Sequence, residues 1–121
     1  MCTASPVCPL HDVTAAQALA EGKPMAFLVA TPAFCQVAIC GPVLDVLLAA
    51  RAAHPSVHYL HAEVYAHPKV NLTDYAPAVQ QLGLHLEPCL VLLGTDGKVR
   101  ERLDAIYDAD ELDAALTRLT A

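Results

Sequence analysis

Two cysteines that follow a short apolar run are the residues of this chain best suited to chemistry. Cys35 and Cys40 lie in the segment FLVATPAFCQVAICGPVLD, where a strand-like run breaks at Pro32 and a helical pattern takes over. A cysteine at the opening of a helix meets the partial positive charge of unpaired backbone N–H groups, which stabilises the thiolate over the thiol. The pair therefore predicts thiol chemistry, and two buried, inert thiols are the alternative.

The four residues between these cysteines restrict how a disulfide could form. Residues five apart in a regular helix are separated by about 7.5 Å along the axis, at about 1.5 Å per residue. That separation exceeds what a disulfide tolerates between Cα atoms. A bond between Cys35 and Cys40 therefore requires either a loop in both redox states, with the helix starting near Gly41 and Pro42, or a first turn that unwinds on oxidation.

Three further cysteines complete the set of five. Cys2 and Cys8 are predicted to form a structural disulfide, and Cys89 is predicted to be a buried core thiol. For the first two, unpaired thiols on a mobile arm or a metal site that adds His11 are the alternatives. One structural bridge beside one redox pair favours an oxidising compartment, so export to a periplasm or the cell exterior is favoured over the cytoplasm.

The histidines and the charge balance exclude several classes of function. Among the six histidines only His58 and His61 are close in sequence, and a strand would point them to opposite faces, so no metal or cofactor is predicted. A net charge of -6, without a Lys/Arg cluster, argues against nucleic acid as a partner. No apolar run reaches the roughly 18 residues of a membrane span. The N-terminus has no secretory signal pattern, so export would require that a signal or anchor has been removed.

The remaining pattern alternates helices and strands. Asp12 is expected to cap the first helix, and the long central helix is expected either to kink at Pro42 or to begin there. The other predicted elements are strands at 24–31, 56–65, 88–94 and 98–107 and helices at 76–83 and 108–119. This order predicts an α/β fold: a central mixed sheet of about four strands with an antiparallel edge hairpin, flanked by helices. Residues 1–11 are predicted to be an N-terminal arm on a single domain, 12–121.

The element order, the cysteine pair after the first strand and the block EPCLVLLGTDGKV before the last helix together resemble the thioredoxin superfamily, including its TlpA-like members. The resemblance implies that Pro88 is a cis-proline facing the redox cysteines, and that Pro42 is the proline of the active-site helix. It also implies that the backbone of Glu87 pairs with an extended substrate. Phe34 stands where that superfamily usually has a tryptophan before the first cysteine. Phe34, Glu87 and Pro88 are therefore the expected substrate-binding residues.

The motif itself departs from the usual thioredoxin pattern, which has two residues between the cysteines. TPAFCQVAICG is similar to the segment of bacterioferritin-comigratory-type peroxiredoxins in which a first cysteine attacks peroxide and a second resolves the sulfenic acid. The leading prediction is a thiol-disulfide oxidoreductase in which Cys35 is the nucleophile and Cys40 resolves, acting on protein or small-molecule thiols and disulfides. A thiol peroxidase that acts on peroxide and a non-catalytic metal- or partner-binding module are the alternatives.

Overall fold

The computed structural model describes residues 2–34, 39–67, 74–83 and 88–121, and four helices and four strands lie within these ranges. Their order alternates helix and strand until a hairpin precedes the last helix. The elements are α1 (Ala15–Ala20), β1 (Met25–Val29), α2 (Cys40–Ala50), β2 (His58–Ala62), α3 (Pro77–Leu82), β3 (Cys89–Leu93), β4 (Val99–Asp104) and α4 (Ala109–Thr120).

The four strands form one mixed sheet in the order β2-β1-β3-β4. The β1 and β2 strands are parallel, whereas β3 runs antiparallel to both β1 and β4. This sheet confirms the predicted α/β architecture with its antiparallel edge hairpin. The β1 strand is central, and the register that pairs its last residue, Val29, with Cys89 brings the start of β3 to the edge where β1 ends.

Helices cover both faces of the sheet because β1 and β3 are apolar on both sides. Ala26 and Leu28 face the main core, to which α2 and α4 contribute residues such as Leu47 and Leu116. Met25 points to the opposite face, where it packs with residues of α1. The apolar run at 24–31 therefore forms a strand buried on both faces, as its composition predicts.

A capping box marks the start of α1, and a proline marks the start of α2. The α1 helix is capped by Thr14 and not by Asp12, because Thr14 Oγ1 accepts from Gln17 N at 3.1 Å while Gln17 Oε1 accepts from Thr14 N at 2.8 Å. The α2 helix begins at Cys40, so Pro42 lies in its first turn, where the N–H that proline lacks has no helical partner. Pro42 therefore marks the start of the helix.

The β4 strand is shorter, and its connection to α4 longer, than the sequence suggests. The predicted strand at 98–107 ends at Asp104, since Ala105 adopts a left-handed conformation with φ of 62° and turns the chain. Tyr107 then points inward and donates a hydrogen bond to Val43 O of α2 at 2.8 Å. Asp108 caps α4 as predicted and accepts from Glu111 N at 2.8 Å.

Candidate functional site

The resolving cysteine of the predicted redox pair lies at the first position of α2. Cys40 is fully buried in the main core together with Ala30, the residue that follows β1. It is disulfide-bonded, whereas Cys2, Cys8 and Cys89 are free thiols. Cys35, together with residues 36–38, lies outside the described residues.

Two of the expected substrate-binding residues lie at the same edge of the sheet as Cys40. Pro88 is buried and immediately precedes Cys89, whose partner Val29 ends β1, so Pro88 lies beside the chain that leads toward Cys35. Phe34 is half-buried and packs on the apolar cluster that contains Val29. Glu87, and with it the peptide bond that joins it to Pro88, lies outside the described residues.

The turn that leaves β1 is tightly held. Phe34 N donates to Thr31 O at 3.2 Å, which closes the turn 31–34. Thr31 is fully buried, and its hydroxyl has no hydrogen-bond partner among the residues that the structure describes. Ala33 N donates to Thr3 Oγ1 at 3.1 Å, so the N-terminal arm contacts this turn directly.

Cys89 is the buried thiol that the sequence predicts. It is fully buried at the start of β3, and burial, followed by its hydrogen bond with Asp104, raises the pKa of the thiol from 9.0 to about 12. The group is therefore a protonated thiol at neutral pH and is not suited to nucleophilic attack.

The arm is packed on the domain, and its two cysteines do not form the expected disulfide. Cys2 and Cys8 are free thiols whose Sγ atoms are 3.5 Å apart, well beyond a sulfur–sulfur bond. Both sulfurs instead approach the ring of His61 on β2, with Cys8 Sγ at 3.4 Å and Cys2 Sγ at 3.6 Å from Nδ1. Cys8 and Leu10 belong to the main core, which holds the arm in place.

Four side chains converge at this point, and we define Cys2, Cys8, His11 and His61 as the arm cluster. His11 Nε2 lies 3.2 Å from Cys8 Sγ and 3.1 Å from His61 Nδ1. All four ligand-type atoms lie within 4.8 Å of one another. Desolvation lowers the pKa of both imidazoles and raises the pKa of Cys8 to about 11.

His61 is the member of the arm cluster that the sequence did not point to. Its side chain has 0% exposure, and its Nε2 lies 2.8 Å from Ala30 O. Because a carbonyl can only accept, Nε2 carries the ring proton and Nδ1 offers a lone pair to the cluster. His58 lies on the other face of the strand, 2.7 Å from Glu21, as strand geometry predicts. The signal in the sequence that could identify His61 is its position on the core-facing side of a strand.

In the described part of the chain, no helix combines the length and the apolar character that crossing a membrane requires.

Comparison with solved structures identifies the architecture. No protein-family model and no curated protein sequence matches the chain. Thioredoxin O2 from Arabidopsis thaliana superposes with a TM-score of 0.65 at 15% identity, covering 88% of this chain and 83% of that one. A secreted Mycobacterium tuberculosis disulfide oxidoreductase homologous to Escherichia coli DsbE gives 0.63 at 21% identity, with 81% and 83% covered. Mitochondrial thioredoxin 3 from Saccharomyces cerevisiae gives 0.62 at 15% identity, with 84% and 83% covered. The chain therefore has the thioredoxin fold.

Proposed function

We propose that this protein is a thiol-disulfide oxidoreductase that exchanges electrons with protein or small-molecule thiols and disulfides through Cys35 and Cys40. The observation that carries the proposal is Cys40, a disulfide-bonded residue at the first position of α2, at the sheet edge that also holds Pro88. Because Cys2, Cys8 and Cys89 are free thiols, Cys35 is the partner that the proposal assigns to Cys40.

Burial divides the roles between the two cysteines. Cys40 is 0% exposed, so a substrate disulfide cannot reach its sulfur. The attacking thiolate is therefore Cys35, and Cys40 acts only within the protein. The N–H groups in the first turn of α2 favour the anionic form of a sulfur at this end of the helix.

The reaction transfers two electrons from the protein dithiol to the substrate. The Cys35 thiolate attacks one sulfur of the substrate disulfide, expels the other as a thiolate and forms a mixed disulfide. The Cys40 thiolate then attacks Cys35 Sγ, which releases the second substrate thiol and leaves the Cys35–Cys40 disulfide. An external dithiol returns the protein to the reduced state, and the reverse sequence oxidises a substrate dithiol.

Phe34, Glu87 and Pro88 are proposed to bind the substrate beside Cys35. Phe34 is anchored by packing on the cluster around Val29, so it offers a fixed apolar surface at the end of β1. The backbone of Glu87, next to the buried Pro88, is proposed to pair with an extended peptide. The relatives by fold include a secreted oxidoreductase and a mitochondrial thioredoxin, so export stays a prediction from the cysteine content.

Single cysteine substitutions test the proposal. Cys35→Ala is expected to abolish exchange with a small disulfide, because the variant lacks the attacking thiolate. Cys40→Ala is expected to accumulate mixed disulfides on Cys35, which mass spectrometry of the non-reduced protein detects. Cys89→Ala is the matched control and is expected to retain the exchange rate of the parent.

Two outcomes would reject the proposal. Equal exchange rates in the parent and the Cys35→Ala variant would exclude Cys35 as the nucleophile. Rapid consumption of hydrogen peroxide, with a sulfenic acid on Cys35 in the Cys40→Ala protein and negligible disulfide exchange, would assign the site to a thiol peroxidase instead.

A further inference from the structure

We propose that the arm cluster is a structural zinc site in which Cys2, Cys8, His11 and His61 bind one Zn²⁺ in a tetrahedral arrangement. The proposal goes beyond the redox function, because none of these residues takes part in the proposed exchange reaction. Two thiolates and two imidazoles form the donor set that structural zinc sites use, and oxygen-seeking cations such as Ca²⁺ and Mg²⁺ do not favour it.

The spacing of the four donor atoms fits a central zinc ion. Bonds of about 2.3 Å to sulfur and about 2.0 Å to nitrogen place tetrahedral ligand atoms about 3.8 Å apart for two sulfurs. The same bonds give about 3.5 Å for sulfur to nitrogen and about 3.3 Å for two nitrogens. The corresponding distances here are 3.5 Å between the sulfurs, 3.1 Å between the nitrogens, and 3.2 to 3.6 Å for three of the four sulfur–nitrogen pairs. The fourth pair, Cys2 Sγ and His11 Nε2, lies within 4.8 Å.

Hydrogen bonds alone do not account for this convergence. The Nδ1 atom of His61 approaches Cys2, Cys8 and His11 at once, yet with Nε2 protonated it has a single lone pair. That lone pair can satisfy one neighbour, whereas a central cation is satisfied by all four donors together. Zinc with two thiolates and two neutral imidazoles carries no net charge, so burying the site avoids the large desolvation cost of an unpaired charge.

The surroundings of the ligands match those of a structural metal site. His61 Nε2 donates to Ala30 O at 2.8 Å, which fixes the tautomer and aims Nδ1 at the cluster. Thr3, next to Cys2, is held by Glu63, which accepts from Thr3 N at 2.9 Å and from Thr3 Oγ1 at 2.8 Å.

The four ligands leave no coordination position for a substrate, so the site is structural and not catalytic. A zinc ion at this site would join the arm to β2. An open cavity of about 340 Å³, lined by residues that include His11 and His61, gives the ion a path from solvent.

Metal analysis of the full chain tests the proposal. Protein prepared without chelators is expected to hold one zinc per chain. The cobalt-substituted protein is expected to show the absorption of tetrahedral Co²⁺ with thiolate charge transfer.

Cys2→Ser and His11→Gln alter the two half-buried ligands. Each variant is expected to lower the zinc affinity more than about 100-fold, since even outer-shell changes cost about 10 to 100-fold. Zinc is expected to raise the melting temperature of the parent but not of these variants.

Two matched controls separate this site from the rest of the molecule. His58→Gln alters a histidine of the same strand, and Cys35→Ser alters the proposed redox nucleophile; both are expected to retain the zinc. Loss of zinc in Cys35→Ser would place the metal at the redox pair and overturn the proposal. So would a zinc-free native protein or a Cys2–Cys8 disulfide in the folded chain. None of these measurements uses thiol exchange, so the zinc site and the redox function can fail separately.

Discussion

At the scale of single residues, the environment of a sulfur and not its mere presence determines its chemistry. Cys40 and Cys89 are both fully buried, but Cys40 starts a helix and is disulfide-bonded, whereas Cys89 starts a central strand and is a free thiol. Burial raises the pKa of Cys89 from 9.0 to about 12, so the folded protein binds this proton more tightly than the unfolded chain.

The stability of the protein is therefore expected to fall at alkaline pH. The contribution of the Cys89 proton is complete below pH 9 and is lost between pH 9 and about 12. The unfolded chain binds fewer protons in that range, so the free energy of unfolding decreases by up to about 1.4 kcal/mol per pH unit for this group. Urea denaturation across this range measures the slope, and Cys89→Ala is expected to reduce it. An unchanged slope in the variant would show that Cys89 titrates normally.

At the scale of elements, local sequence signals predict most of the fold. The apolar run of β1 and the Asp108 cap of α4 are properties of neighbouring residues, so they are visible in the sequence. The predictions from the sequence are wrong where two local signals compete. Asp12 and Thr14 can both cap a helix, and the capping-box partner Gln17 decides in favour of Thr14. Likewise, the end of β4 depends on the turn at Ala105, which its residue type does not predict.

Tyr107 is expected to stabilise the packing of α4 on the start of α2. Its buried hydroxyl donates to Val43 O at 2.8 Å, within the helix that begins at Cys40. Tyr107→Phe removes this bond but keeps the ring, so the free energy of unfolding is expected to decrease by about 1 kcal/mol. Chemical denaturation measures the change, and the exposed Tyr75→Phe is the control. A Tyr107→Phe protein as stable as its parent would mean that the hydrogen bond makes no net contribution.

At the scale of the whole molecule, the arm cluster is the feature that the sequence could not predict. Cys2, Cys8 and His11 are local, but the fourth member, His61, lies 50 residues after His11. Its approach depends on β2 pairing at the edge of the sheet and on the arm crossing the end of β1. No spacing rule encodes such a contact. The sequence shows only that Cys2 and Cys8 are close to each other, and that spacing predicts a disulfide.

The arm is expected to unfold together with the domain and not before it. Thr3 Oγ1 donates to Glu63, a side chain with 5% exposure, and accepts from Ala33 N in the turn that leads to Cys35. Thr3→Val removes both contacts and leaves a buried carboxyl oxygen without this donor.

The expected loss is about 1.5 to 3 kcal/mol, the range for a hydrogen bond to a charged group. Thr117→Val, which alters an exposed hydroxyl on α4, is expected to change stability much less. Denaturation is followed both by far-ultraviolet circular dichroism and by proteolysis of the arm. Together these measurements show whether the arm unfolds with the domain or before it. Because the hydroxyl joins the arm to the turn before Cys35, coincident transitions with a lowered midpoint are expected in Thr3→Val. Early cleavage of the arm, with the midpoint of the domain unchanged, would show that the arm is only loosely attached and does not support that turn.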